Sequence, residues 1–281
     1  MKYSYLIVGA GFTGAVIARE IADKLNEPTL VIDRRNHISG NAFDHYDKSG
    51  VLVHEYGPHI FHTNSHQVWE FLSKFTEWNP YEHRVIGKIG KEHIPIPFNF
   101  SSIETMFSSK EANIIKSHLL EEHGNEVKVP ILNLMKSKNR FVKELADYVY
   151  TNIFFNYTKK MWDLEPQELD PAVLSRVPIQ IGYDDRYFHD KYQSMPKNGY
   201  TKMFQKILDH PNIEVKLRTH FKDISNPKEF KKIIYTGPID EYFDYRHGEL
   251  PYRSIRFEFF TENKEYTQKV ATINYPGFEF Q

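Results

Sequence analysis

The chain has 281 residues, 40% hydrophobic and 26% charged, with a formal net charge of −1. This is an ordinary globular composition, long enough for two or three modules, and it gives no basis for non-specific binding to nucleic acid or an anionic membrane surface. There is no cysteine, which excludes disulfides, thiolate catalysis and cysteine-ligated metal and fits a reducing compartment. Lys2 and the apolar stretch through Ala18 superficially resemble an export signal. Three glycines and the continuation into an amphipathic Arg19-Glu20 helix argue against it. No apolar run is long enough to span a bilayer, so a cytoplasmic protein without a membrane span is expected. Aromatic residues reach 15%, which suits a deep core and also a site that stacks on flat rings.

Tyr3 to Val8 reads as a buried strand, entering the loop Gly9-Ala10-Gly11-Phe12-Thr13-Gly14 and then a helical pattern. A second apolar run, Thr29 to Ile32, ends at Asp33, 19 residues after Gly14. This is the strand–loop–helix–strand unit that binds a dinucleotide. Gly9 permits the tight turn, Gly11 lets backbone approach pyrophosphate, and Gly14 lets the helix sit close on the strand. The helix N-terminus offers N–H groups to the phosphates, and Asp33 is placed to accept hydrogen bonds from ribose.

Gly40 and Asn41 predict a second turn near the nucleotide, a feature of flavoproteins more than of plain nicotinamide dehydrogenases. Val51 to His54 alternates like a strand and feeds a loop dense in Gly, Pro and His, from Tyr56 to Asn64. Ser65 to Phe75 has helical spacing with Ser65 as N-cap. Tyr81 to Pro97 predicts a hairpin around Gly90. Ser101 to Lys160 forms the helical portion, and Pro166, Pro171 and Pro178 punctuate a loop-rich stretch. Strands are expected at Ile179–Tyr183, Ile213–Leu217, Ile233–Thr236, Ser254–Phe260 and Val270–Tyr275, with a helix at Tyr200–Leu208. From the residues alone, His59 and His62 have three competing roles: metal ligands, structural histidines, or flavin contacts. An isolated HxxH is poor metal evidence, and no metal site is assigned.

The segments GAGFTGAVIARE, RRNHISGNA, YGPHIFHTN, YEHRV…IPIPFN, NYTKKMW, LSRVPIQIGYDDRYFHDKYQ, PKNGYTKMF and IIYTGPIDEYFDYRHGELPYRS together resemble the UDP-galactopyranose mutase family, in the family's order from Lys2 to about Ser254. The resemblance implies an α/β fold: a Rossmann-like FAD-binding domain with an inserted helical domain and a small antiparallel β-sheet domain. The implied boundaries are 1–98 and 196–240 for the FAD-binding part and 99–170 for the helical domain with a mobile loop at its end. Residues 171–195 and 241–281 would form the substrate sheet. The implied activity interconverts UDP-galactopyranose and UDP-galactofuranose for surface polysaccharide synthesis. It proceeds through an adduct between N5 of reduced FAD and the sugar, with no net redox change.

Residue by residue, Thr13, Asp33, Arg34 and Asn41 match the family's FAD contacts, beside Gly9, Gly11, Gly14 and Gly40. Many members carry Glu where Asp33 stands, and either carboxylate can bind ribose. His59 and Ile60 match the flavin-facing loop. His83 falls at a uridine-site position, Tyr157, Thr158 and Trp162 at nucleotide-binding ones, and Asn274 at a substrate-side Asn. Arg176 matches the mobile-loop arginine that neutralises the pyrophosphate, for which a planar guanidinium is suited. Tyr187 matches a second phosphate contact. His59 and Arg176 are thus the catalytic candidates. Gln180 departs from the family, where many members carry a further arginine.

The family also continues past the point where this chain stops, with another phosphate-binding arginine, substrate tyrosines and a final flavin-binding segment. A catalytically impaired flavin- or UDP-binding fragment is therefore one alternative, and a mutase for UDP-N-acetylgalactosamine is another. The implied partner is a UDP-galactose nucleotide sugar, with a homodimer left open.

Overall fold

A computed structural model of the protein describes residues 2–162, 178–252 and 254–277, with only the backbone of Met161 and Trp162. The chain divides into two compact units, Met1–Tyr81 with Asp190–Thr261, and Glu82–His189 with Glu262–Gln281.

In the first unit, strand β1 (Tyr5–Val8) leads through the glycine loop into helix α1 (Phe12–Leu25) and back to β2 (Thr29–Ile32), parallel to β1. The strand Ile213–Lys216 adds outside β2, and Lys232–Tyr235 adds on the other side of β1. All four are parallel. A parallel sheet buried on both faces needs continuous apolar strands, which is why Leu6, Ile7, Val31 and Ile32 lie fully inside. Ala15 and Ala18 keep the inner face of α1 narrow, and the larger Tyr200, Met203, Phe204 and Ile207 of the helix Tyr200–Leu208 complete the same core.

That second helix has no local cap. Its N-terminus is closed by Asp44, whose carboxylate accepts the backbone N–H groups of Tyr200 (2.6 Å) and Thr201 (2.7 Å). Gly199 stands with φ at +84°, and a Cβ there would lie 2.6 Å from the Asp44 carboxylate, so glycine alone fits. A separate antiparallel sheet joins Phe61–Thr63, Tyr192–Pro196 and Trp78–Pro80. Beside it, the helix His66–Ser73 is capped by Ser65.

The second unit has one core. Ile94 and Ile96 of the hairpin Val85–Ile89/Glu92–Ile96, with Phe98 just after it, pack with Ile103, Leu119, Leu145 and Val149 of the helical stretch. This explains a departure from the expected boundary at 98/99: the hairpin and the helices share a core, so the division falls at 81/82. The helix Ser109–His123 carries a capping box, Ser108 with Glu111. Within the expected helical portion, Val127–Val129 is instead a strand, paired with Ile179–Ile181. The hairpin gains a third strand, Thr272–Asn274, running parallel to Val85–Gly87.

Two other expectations change. Residues 241–261 belong to the first unit, not to the substrate sheet. Ser254–Phe260 alternates in sequence but forms no strand, and Ile255, Phe259 and Phe260 are exposed. An alternating pattern becomes a strand only with a ladder partner, and no described residue supplies one here.

Replacing Asp44 with Ala should lower unfolding stability by about 2–3 kcal/mol, since it strips two N–H groups at a buried helix start of their acceptor. Urea unfolding followed by circular dichroism measures it, and an effect under about 0.5 kcal/mol would contradict the capping role.

Candidate functional site

A cleft of 840 Å³ opens in the first unit, where Val8, Asp33 and Tyr235 mark the carboxyl ends of three parallel strands. That is where doubly wound sheets hold ligands. Glycines form its floor. The Cα of Gly40, with φ at +57°, packs so closely on Gly11 that a Cβ on Gly40 would come within 2.9 Å of the Gly11 Cα. Gly14 sits on the Gly9 carbonyl, which a Cβ would meet at 1.8 Å. Helix α1 starts at Gly11 with no side-chain cap and no acidic residue in its first turn. Its first N–H groups therefore point outward with the positive end of the helix dipole.

Asp33 holds the loop in shape. Its carboxylate accepts the N–H of Ala10 at 2.8 Å and of Arg35 at 2.9 Å. An ionised carboxylate has about four acceptor positions, so two remain for hydroxyl donors. Arg34 lines the cleft and pairs with Glu241 at 3.2 Å. Arg35 lines it as well, lying over the Tyr56 ring and donating to Asn41 Oδ1 at 2.9 Å. Asn41 also lines the cleft. Thr13 is exposed on the first turn of α1, and Gly14 is buried behind it.

Several lining residues gave no signal in sequence. Thr219, Phe221 and Lys222 arrive because the third parallel strand is tied to the second: Asp33 donates to Lys216 O at 3.0 Å, and Thr219 donates to Asp33 O at 2.9 Å. Phe221, Tyr235 and Tyr242 form an aromatic wall with ring centroids 5.0–5.9 Å apart. A rule that reads the loop after each parallel strand as ligand-facing would have found the first group.

His59 and Ile60 lie in the same unit, in the loop after the strand Leu52–His54, and neither lines this cleft. The His59 N–H donates to His54 Nδ1 at 3.0 Å, and His59 Nδ1 lies 3.0 Å from Gly57 O.

The remaining candidates stand in the second unit. His83 is buried, and Tyr187 is beside it, with its N–H donated to His83 O at 2.8 Å and ring centroids 5.7 Å apart. Two residues before Arg186, Asp184 takes that guanidinium at 2.6 Å, which holds its carboxyl down at about 2. Thr158 is buried and Tyr157 exposed on the helix Asn156–Trp162. Lys160 of that helix reaches Tyr275 O at 3.4 Å, next to Asn274. Gln180 is buried and faces Glu126 at 3.4 Å. Arg176 and the Trp162 side chain lie outside the described residues.

Comparison with known proteins agrees with this architecture. A family described as "NAD(P)-binding Rossmann-like domain" matches residues 7–75, and one described as "UDP-galactopyranose mutase" matches residues 152–281. The chain is 39% identical over 272 residues to a Klebsiella pneumoniae protein named "Probable UDP-galactopyranose mutase", covering 96% of this chain and 69% of that one. The chain belongs to the UDP-galactopyranose mutase family. It is also 32% identical to the UDP-galactopyranose mutase of Mycoplasma pneumoniae, covering 98% of this chain and 72% of that one. To the dTDP-fucopyranose mutase of Escherichia coli it is 35% identical, covering 93% and 70%. A crystal structure of reduced UDP-galactopyranose mutase shares the fold, with TM-score 0.56 and 13% identity over 87% of this chain and 56% of that chain.

Members of the UDP-galactopyranose mutase family are FAD-dependent isomerases. The cleft fits that cofactor on its own geometry. Its backbone-only floor admits a pyrophosphate, the uncapped helix start donates to it, and Asp33 keeps acceptor capacity for a ribose. Gly14→Ala should weaken FAD binding by more than about tenfold, because the helix must lift off the Gly9 carbonyl and lose at least one charge-assisted N–H contact. Flavin fluorescence titration of the purified variant measures this, and unchanged affinity would show that the helix start is not the phosphate site.

Proposed function

We propose that this chain interconverts UDP-galactopyranose and UDP-galactofuranose, supplying the furanose for surface polysaccharide synthesis. The observation that carries the reading is the glycine-walled cleft at the carboxyl ends of the parallel strands, in a chain whose curated relatives are mutases over nearly its whole length. Bound FAD in its reduced form supplies the nucleophile for the sugar's anomeric carbon.

The protein's part is placement and charge. Gly9, Gly11, Gly14 and Gly40 admit the cofactor's pyrophosphate to backbone, while Asp33, Asn41 and Arg34 orient the rest, with Thr13 at the helix start. His59 and Ile60 are assigned to the cofactor's reactive end. For the substrate, His83, Tyr157, Thr158 and Trp162 are assigned to the nucleotide, Tyr187 and Arg176 to the diphosphate, and Asn274 to the sugar side. The diphosphate is the leaving group, so negative charge builds on its oxygens as the sugar departs. A bidentate guanidinium stabilises that charge better than an ammonium. The proposed setting is cytoplasmic. Assembly as a homodimer belongs to the same reading and is measured by light scattering.

A second reading rests on the E. coli relative: a mutase for a dTDP-linked sugar. The UDP-N-acetylgalactosamine reading differs only in the room left around the sugar. Dithionite-reduced protein incubated with UDP-galactofuranose, UDP-N-acetylgalactosamine and dTDP-fucopyranose in parallel separates the three by product chromatography. Turnover of the first alone is expected, and failure of a flavin-loaded chain to convert any would overturn the mutase reading. Arg176→Ala should reduce kcat/KM by about 10- to 100-fold, the range for losing a charged hydrogen bond, with Arg176→Lys recovering only part.

A further inference from the structure

We propose that His54 is a positioning residue, which accepts the backbone N–H of His59 through Nδ1 and so fixes the turn 57–59 and the tautomer of the His59 ring. A backbone N–H can only donate, so His54 Nδ1, 3.0 Å from His59 N, carries no proton. A carbonyl can only accept, so His59 Nδ1, 3.0 Å from Gly57 O, carries one. Neutral His59 is therefore the Nδ1–H tautomer, and its Nε2 lone pair is the acceptor the ring presents. The two histidines are set by one backbone turn, and each depends on the other's position.

The surroundings favour the neutral His54 that this geometry needs. The titratable groups facing it are Asp44, directly opposite on the paired strand, His59 on the loop, and Tyr200 on the helix it packs against, whose ring centroid is 5.8 Å away. Burial is the largest influence and disfavours the imidazolium; Asp44 opposes it and His59 adds to it, so His54 is pushed below its ordinary value. The Asp44 carboxylate is already taken by the N–H groups of Tyr200 and Thr201. Burial also holds the Tyr200 phenol well above its usual value, so it stays neutral. Protonating His54 would set an N–H against the His59 N–H, and the turn would have to open. Because the folded value is depressed, the neutral form's contribution is complete above the ordinary histidine range and is lost as pH falls through the folded value.

If the loop meets the cofactor, as the proposed function has it, a donor on that cofactor or its substrate would bond His59 Nε2. That last step rests on the proposed function, whereas the positioning does not. Nitrogen NMR of histidine-labelled protein tests the positioning without any cofactor. His54 should appear as the Nε2–H tautomer and His59 as Nδ1–H, with His54 gaining its charge at a lower pH than an ordinary exposed histidine. His54→Phe keeps a ring but no acceptor, and should speed exchange of the His59 amide by about tenfold, the worth of one hydrogen bond. His54→Asn returns an acceptor at the Nδ1 position and should restore slow exchange. An Nδ1–H tautomer at His54, its titration in the ordinary range, or unchanged exchange in both variants would overturn the proposal. In FAD-loaded protein the flavin midpoint potential should move in His54→Phe and return in His54→Asn. Expected tautomers with an unmoved potential would support the positioning and overturn the cofactor-facing role of the loop.

Discussion

The first unit depends on one buried carboxylate. Asp33, at the end of β2, accepts the N–H of Ala10 in the glycine loop and of Arg35 beyond it, so a single side chain ties two consecutive strand ends together. Its own backbone is held by the third parallel strand, through the bonds to Lys216 and from Thr219. The glycine loop can then lie against the turn at Gly40, because neither Gly11 nor Gly40 has a side chain to keep the two apart. Remove the carboxylate and one buried and one partly buried N–H group lose their acceptor, a larger cost than a surface ion pair such as Arg34–Glu241 returns.

The same device recurs at Asp44, which reaches across the fold to close the N-terminus of the helix Tyr200–Leu208. That helix packs its buried Tyr200 and Phe204 against Phe12 of α1. Asp44 also stands opposite His54, and His54 holds the His59 amide. The residue that caps the helix and the one that holds the histidine loop thus face each other across one strand pair. Burying polar groups costs free energy unless they find partners, so these contacts constrain the unit alongside its apolar core.

The second unit is organised differently. One apolar core joins hairpin and helices; among the polar candidates, Thr158 lies on the helix Asn156–Trp162 and Asn274 on the strand Thr272–Asn274, while His83 and Tyr187 lie between elements. Its charges, Glu82, Arg84, Asp184, Asp185 and Arg186, are mutually paired. The family relatives act on both UDP- and dTDP-linked sugars by name, so the nucleotide and the sugar are the points at which members diverge. Gln180, for which the resemblance implies arginine in many members, is buried against Glu126.

Local rules sufficed where the signal was local. Apolar runs marked β1 and β2, Ser65 marked its helix start, and Gly90 marked a hairpin turn, since each reports on its own few residues. The GxGxxG spacing with Asp33 specified a dinucleotide loop for the same reason: the physics of the tight turn and close approach acts within that segment. Pairing was not legible. Ser254–Phe260 alternates yet has no described partner, whereas Val127–Val129 is a strand only because Ile179–Ile181 lies beside it. Nor could the sequence show that Asp44 would cap a helix beginning at Tyr200, or that His54 and His59 would share a hydrogen bond that assigns both tautomers. A sequence carries which groups donate and accept, but only the folded chain decides which donor meets which acceptor.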